Sequence, residues 1–309
     1  MEVERLNFNM ISIIVPTYNR LGVLKKCLES VVSQEYPGLE LIVIDDFSQD
    51  ATKEYLTELA QQYPFLKVHF NARNYGVNYS RNRGIELASR EYILFLDSDD
   101  QLVDGSLPKV LSNLVEHPNC KHFLFLVSDR AENIKNLTRP KEIYYKNWLK
   151  GEIYGDFTHV ISSKIMKKYP FFEEFRMFEH LNWLRIQKET TPQLLIPIIT
   201  AERDRNRTDS LTLSSRLQTM SVIRSKFEAE KIYYSMYHKD LKTYHPESFS
   251  SNLISAIALG VASNEIRGCK TLLGYANKWH IKLAGGALMM LPSKLVRFGI
   301  IYYSKIRHT

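Results

Sequence analysis

One pattern constrains this chain more than any other. In the first hundred residues, short apolar, β-branched runs end on polar or acidic residues and are followed by segments with helical spacing. Ile11–Pro16 reads as a buried strand that runs into Thr17–Arg20. Leu21–Val32 then places Leu24, Cys27, Leu28 and Val31 at helical intervals. Leu39–Ile44 is a second apolar strand, ending on Asp45 and Asp46, and Ser48 or Asp50 can cap a helix over Ala51–Gln62. Lys67–Phe70 is a third strand, Asn78–Ser89 a helix, and Tyr92–Leu96 a fourth strand ending on Asp97. Such alternation predicts βαβ units, hence an α/β fold with a mostly parallel central sheet flanked by helices. In sheets of this kind ligands bind at the carboxyl ends of the strands. Thr17–Arg20, Asp45–Asp50 and Asp97–Asp100 stand at those ends.

After residue 100 the rhythm loosens. Leu107–Glu116 reads as helix, His122–Val127 as strand, and Ile161–Lys168 and Leu181–Lys188 as short helices. The polar, Arg-rich stretch 202–210 marks a boundary between a first domain, 1–205, and a mainly helical C-terminal region, 206–309. Charge divides near the same place. Residues 1–215 carry 27 Lys and Arg against 29 Asp and Glu, whereas residues 216–309 carry 14 against 5. A near-neutral body with a basic tail implies an anionic partner for the tail. After Pro292, helical phasing sets Lys294, Arg297, Lys305 and His308 on one side and Leu295, Val296, Ile300, Tyr302, Tyr303 and Ile306 mostly on the other. A basic amphipathic helix beside Trp279 and the apolar run Leu283–Leu291 points to a membrane surface; docking on the first domain is the alternative. No nucleic-acid motif accompanies the charge, so nucleic acid is not an expected partner.

The remaining composition serves mainly to exclude. At 44% apolar and 24% charged the chain is not disordered or collagenous. Three scattered cysteines, Cys27, Cys120 and Cys269, give no zinc spacing and suit a reducing compartment. The first ten residues lack the pattern of a secretory leader, and no run of about 18 uncharged apolar residues predicts a spanning helix.

Asp97-Ser98-Asp99 offers two carboxylates at a strand end. Hard oxygen ligands suit Mg²⁺ or Mn²⁺ shared with substrate phosphates, although an acidic loop or a cap has the same spelling. The wider context narrows this choice. Val-Pro-Thr-Tyr-Asn-Arg at 15–20, Asp-Asp-Phe-Ser-Gln-Asp at 45–50, Asn-Tyr-Gly-Val-Asn-Tyr-Ser-Arg-Asn-Arg-Gly at 74–84 and Tyr-Ile-Leu-Phe-Leu-Asp-Ser-Asp-Asp at 92–100 occur in that order. Together they resemble the family 2 glycosyltransferases, which have the A-type, Rossmann-like nucleotide-sugar transferase fold. The resemblance spans about residues 10–205.

The resemblance implies an inverting, metal-dependent transfer from a nucleotide-diphosphate sugar, a UDP-sugar above all. Pro16, Thr17, Tyr18 and Arg20 would line the nucleotide pocket. Asp46 would meet the base and Asp45 would support its loop. Arg81 would face the diphosphate or donor sugar, Asp97 and Ser98 the ribose or donor sugar, and Asp99, with Asp97, the Mn²⁺ or Mg²⁺ cofactor. Phe47 departs from the small residue, usually Gly, expected at its position. Phe171–Arg185 resembles the family's acceptor side, but Glu179-His180 stands where a Glu-Asp pair is expected. A base must take the proton of the acceptor hydroxyl, and either His180 or Glu179 can serve. His159 either approaches the acceptor or is structural. Arg203, Arg205 and Arg207 either close over a diphosphate or form a solvated loop. The implied acceptor is a bacterial lipopolysaccharide or capsular glycan, polyprenyl-diphosphate-linked, at the cytoplasmic face of the inner membrane, with the protein peripheral there. A non-catalytic nucleotide- or glycan-binding protein derived from the same fold is the alternative, supported by the missing Asp at position 180.

Overall fold

A computed structural model describes residues 9–128, 137–175, 178–203 and 219–306. Residues 1–145 with 153–206 form one compact unit, and 146–152 with 207–309 form a second.

The first unit is built on a nine-stranded sheet in the order β3-β2-β1-β4-β8-β6-β9-β5, with β7 paired to β9. Strands β1 (Ile11–Thr17), β2 (Glu40–Asp45), β3 (Leu66–Phe70) and β4 (Tyr92–Phe95) pair in parallel. Helices α1 (Leu21–Val32), α2 (Thr52–Gln62) and α3 (Val77–Leu87) connect them. Every residue of β1 and β2 is buried, as continuous apolar runs covered on both faces should be. Ile13, Val15, Leu41 and Val43 point to the core that includes α1, whereas Ile14, Ile42 and Ile44 point to the opposite face. Gly84 lets α3 lie close on that second face, because a Cβ there would clash with Ile14 Cγ2.

Beyond β4 the sheet turns mixed. β8 (Thr158–Ser162) lies antiparallel between β4 and β6 (His122–Val127). β9 (Gln193–Arg203) runs parallel to β6 and antiparallel to β5 (Asp100–Leu102) and β7 (Lys141–Ile143). Part of the segment expected as one helix, Ile161–Lys168, is therefore strand, and the helix proper, α6, is Ser163–Lys168. The β-branched run Thr158–Ser162 gains ladder bonds on both sides, and that long-range pairing overrides local helical spacing. Helices α4 (Ser106–Glu116), α5 (Tyr145–Leu149) and α7 (His180–Glu189) complete the described helices before residue 204.

The second unit contains α8 (Met220–Tyr244), α9 (Pro246–Ala262), α10 (Ile266–Gly274), α11 (Trp279–Met290) and α12 (Ser293–Ile306). α9 packs against all four others, burying Phe249, Leu253, Ile257 and Val261. Arg297 donates from Nε (3.2 Å) and Nη2 (3.1 Å) to the carbonyl of Ala262, the last residue of α9. It is thus committed to the fold rather than to a free basic stripe. Trp279 (75%), Leu283 (66%), Met290 (87%), Leu295 (59%) and Phe298 (70%) are instead exposed. The side chain of Lys305, and His308, lie outside the described residues. Among the described residues no single helix is long and apolar enough to cross a membrane, and α11 with residues 293–304 of α12 forms a pair bent by 107°.

Candidate active site

The carboxyl ends of β1, β2, β3 and β4 lie side by side, so the polar clusters that follow them meet at one rim. The loops after β1 and β2 are laced together. Asn19 N–H donates to Ser48 Oγ (2.8 Å), Gln49 N–H to Asn19 Oδ1 (2.6 Å) and Leu21 N–H to Asp50 Oδ2 (3.2 Å). Asp50 also accepts from Thr52 N–H at 3.1 Å, so one carboxylate serves the first turns of both α1 and α2. Asp45 accepts from the Ser48 backbone (3.1 Å) and hydroxyl (2.5 Å), which supports that loop. Burial lifts the Asp45 carboxyl above its usual range despite these bonds. Pro16 and Thr17 are buried, whereas Tyr18 (41%) and Phe47 (45%) are exposed. Phe47 has φ +70°, a left-handed conformation in which glycine is favoured and an aromatic is uncommon.

Asp46 is buried and heavily engaged. Its Oδ1 accepts from Asn71 Nδ2 (2.8 Å) and Tyr75 N–H (2.9 Å), and its Oδ2 from Gly76 N–H (2.6 Å). About one of the roughly four lone-pair positions of a carboxylate therefore remains. Beside it, Asn71 Oδ1 is buried without a partner, as is Thr17 Oγ1. Sequence reasoning passed over Asn71. Its signal was the one used for the other strands, a polar residue directly after an apolar run.

Arg81 joins two distant parts of the sequence. Its Nη2 pairs with Asp97 Oδ1 at 3.0 Å and its Nη1 with Glu179 Oε1 at 3.2 Å. Asn78 and Asn82 lie on the same helix and fasten the segment that leads to Glu179. Asn78 Nδ2 donates to the carbonyls of Phe172 (2.9 Å) and Phe175 (2.8 Å), and Asn82 Nδ2 to that of Phe171 (2.9 Å). Arg83 points elsewhere and pairs with Glu86 on the exposed face. Arg81 Nε is buried without a partner, so one strong donor is still unused.

Two further arginines, each paired with aspartate, flank this bridge. Arg20 Nη1 meets Asp99 Oδ2 at 3.0 Å, and Arg203 lies 3.5 Å from Asp100 and 2.6 Å from Asp156. Burial would raise the Asp97 carboxyl, but Arg81, Arg203 and Arg20 outweigh it and hold it below its usual range. Asp100 goes the other way, pushed up to about 7 by burial and the nearby Asp97 against the opposing pull of Arg203. Ser98, between the two paired aspartates, is buried. Arg205 and Arg207 lie outside the described residues.

Asp97 and Asp99 are the oxygen donors on which a divalent cation could draw. Among the described residues there is no group of three or more His, Cys, Asp or Glu that could hold a metal alone. Two carboxylates at a strand end nevertheless fit a cation that takes its other ligands from substrate phosphates and water.

Glu179 precedes α7 and its carbonyl accepts from Asn182 N–H (2.9 Å) and Trp183 N–H (3.0 Å). The side chain of His180 lies outside the described residues. His159 is stacked on Trp183 with ring centroids 4.1 Å apart, and its Nδ1 lies 2.9 Å from His122 Nε2. These contacts fix the ring, which is only half-buried. A cleft of about 550 Å³, lined by His117, Cys120, Glu142, Glu189 and Gln193 among others, sits by the amino ends of β6 and β9, away from these clusters.

Comparison with known proteins agrees with this geometry. The family model "Glycosyl transferase family 2" matches residues 12–170. GalNAc(5)-diNAcBac-PP-undecaprenol beta-1,3-glucosyltransferase of Campylobacter jejuni is 32% identical over 192 residues, covering 58% of this chain and 60% of that enzyme. Among solved structures, Staphylococcus aureus TarS, residues 1–349, in complex with UDP-GlcNAc superposes with a TM-score of 0.60 at 16% identity, covering 97% of this chain and 92% of that one. The mannosyltransferase PcManGT of Pyrobaculum calidifontis, in complex with GDP-Man and Mn²⁺, gives 0.55 at 15% identity, covering 96% and 87%. The structural neighbours share the A-type nucleotide-sugar transferase fold with this α/β sheet. With its family model matched over half its length, the chain belongs to glycosyl transferase family 2.

Proposed function

We propose that this protein transfers a sugar from a UDP-sugar to a hydroxyl of a glycan acceptor, inverting the anomeric centre with the help of a divalent cation. The observation that carries this reading is the Arg81 bridge. It ties Asp97, in the strand-end motif, to Glu179, at the start of the helix on the acceptor side. An entering diphosphate would compete for Arg81, because the guanidinium fork matches phosphate as well as carboxylate. Arg81 moving to phosphate would free both carboxylates at the moment they are needed.

The roles follow from position. Asp46 and Asn71 offer acceptors to the N–H edge of the base, with Tyr18 and Phe47 as an aromatic lip. Pro16, Thr17 and Arg20 line the same pocket, Asp45 holds its loop, and Ser98 sits between the ribose and cation ligands. Asp99 and Asp97 would hold Mn²⁺ or Mg²⁺, which when bound offsets charge on the leaving diphosphate. The base, Glu179 or His180, takes the hydroxyl proton as the acceptor oxygen attacks the anomeric carbon and UDP departs. That the related Campylobacter jejuni enzyme is named for a PP-undecaprenol-linked glycan supports a polyprenyl-diphosphate-linked bacterial surface glycan as acceptor here. After Glu265 the chain has eight Lys and Arg and no Asp or Glu. That charge, with the exposed Trp279, Leu283, Leu295 and Phe298, supports peripheral attachment of residues 266–309 to the anionic cytoplasmic face of the inner membrane.

The experiment is a UDP-release screen over UDP- and GDP-sugars with polyprenyl-linked and soluble acceptors, in Mn²⁺ and in EDTA. Metal-dependent release with a UDP-sugar is expected. Tight UDP binding without release across the screen would instead support the non-catalytic binding protein that His180 raises.

A further inference from the structure

Behind the Arg81 bridge lies a chain of hydrogen bonds whose proton positions can be worked out. Thr190 Oγ1 donates its single proton to the Ile186 carbonyl at 2.8 Å. It can therefore only accept from His122 Nδ1, 3.1 Å away, and from Gln193 Nε2, 3.2 Å away. His122 Nδ1 must carry the proton. A neutral His122 then has a bare Nε2, which accepts from His159 Nδ1 at 2.9 Å. His122 is fully buried, and burial, with His159 beside it, holds it well below its usual pKa, so it is neutral at pH 7. The chain of single choices ends at His159, whose Nδ1 is the donor and whose Nε2 is left as a lone pair.

The fold carries that lone pair towards the ligand end of the sheet. β8 runs antiparallel to β4, with Leu94 opposite Val160, so His159 sits beside Phe95, two residues before Asp97. One ring face is covered by Trp183, in the first turns of α7 after Glu179. Phe157 meets the ring edge-on at 6.4 Å. His159 is half-buried, and no hydrogen bond to its Nε2 is seen among the described residues. The charged groups around it are Asp156 and Arg81. Burial lowers the His159 pKa to about 4, Asp156 opposing and Arg81 reinforcing, so the ring stays neutral across the working range.

We propose that His159 is a fixed hydrogen-bond acceptor for a sugar hydroxyl, its Nε2 lone pair aimed by the Thr190–His122 relay and its ring held flat by Trp183. A sugar hydroxyl is the matching ligand because it donates one hydrogen bond to a neutral acceptor without bringing charge. The hydroxyl belongs to the acceptor glycan or to the donor sugar. The inference rests on the sugar-transfer reading only for the name of its ligand.

Two-bond ¹H–¹⁵N spectra of the full chain, labelled on histidine, test the relay directly. The expected result at pH 7–8 is a protonated Nδ1 and a bare Nε2 on His159. Thr190→Val, which removes the oxygen that fixes His122, should mix the two tautomers. Titration with UDP-GlcNAc and, separately, with a soluble N-acetylhexosamine oligosaccharide should move the Nε2 resonance with one of the two, naming the source of the hydroxyl. In turnover, His159→Phe keeps a stacked ring but loses the lone pair. It should raise KM for that same substrate about 3–10-fold, with little change for the other and with UDP affinity retained. A protonated Nε2 in the wild type, an Nε2 resonance indifferent to both probes, or a KM unchanged for both substrates would overturn the proposal. If no donor supports turnover, the transfer reading fails, and the tautomer and titration still decide the role of His159.

Discussion

Replacing Phe47 with glycine separates recognition from stability. Phe47 holds φ +70° and is 45% exposed. Releasing an L-residue from the left-handed region gains about 1–2 kcal/mol. Glycine costs about 0.5–1 kcal/mol in unfolded-chain entropy. Losing the buried half of a phenyl ring costs about 1 kcal/mol. These contributions cancel to within about 1 kcal/mol, so Tm should move by no more than a few degrees. If the ring stacks on the base, its loss should cost about 1–3 kcal/mol of binding, which is roughly 5–150-fold in Kd. Calorimetric titration with UDP should show that loss, and Phe47→Tyr should retain affinity. Pyrophosphate, which has no base, should bind wild type and Phe47→Gly alike. Unchanged UDP affinity together with a Tm raised by well over about 5 °C would refute the reasoning, and Phe47 would be a tolerated strain with no role in recognition.

Other perturbations probe the metal, the tail and the proton balance. Asp99→Asn removes the carboxylate charge 3.0 Å from Arg20 and should reduce metal-dependent UDP release about 10²-fold or more, read in Mn²⁺ against EDTA. Lys278, Lys282 and Lys294 are exposed, and changing all three to Gln should weaken co-sedimentation with phosphatidylglycerol vesicles on the order of 10²-fold, at about 1 kcal/mol each before screening. A wild-type protein that ignores such vesicles at low salt would contradict the membrane reading. Asp100 has a folded pKa of about 7, raised from 3.8, so the folded state holds an extra proton between those values. Its stabilising contribution is full below about pH 4 and lost as pH rises through about 7. Urea unfolding should therefore show wild type losing roughly 2–4 kcal/mol relative to Asp100→Asn between pH 4 and pH 8.

The parallel half of the sheet was legible because each βαβ unit is local. The apolar run, the polar strand end and the amphipathic helix of β1–α1 all fall within 22 residues, Ile11–Val32. The second half was not legible for the opposite reason. β8 gains its identity from β4 and β6, and Thr158–Ser162 passes into α6 without an intervening turn residue. β9 carries Pro197 and pairs with three strands from distant parts of the chain, so no local periodicity announces it. The site divides in the same way. Asp45, Asp46, Asp97 and Asp99 stand out because carboxylates directly after apolar strands are unusual. The link from Arg81 to Glu179, 98 residues away, has no local signature. Nor does the pairing of His122 with His159, because a single histidine in an apolar strand reads as ordinary core.

The central claim is that a nucleotide sugar binds where the carboxyl ends of β1, β2, β3 and β4 meet. Hydrogen-exchange mass spectrometry with saturating UDP and Mn²⁺ measures this most directly. Protection is expected in peptides covering 17–21, 45–52, 71–82 and 97–100, together with faster exchange near Glu179 as Arg81 leaves it for the diphosphate. Protection confined to the cleft around His117, Cys120 and Gln193, or no protection at any UDP concentration, would contradict it.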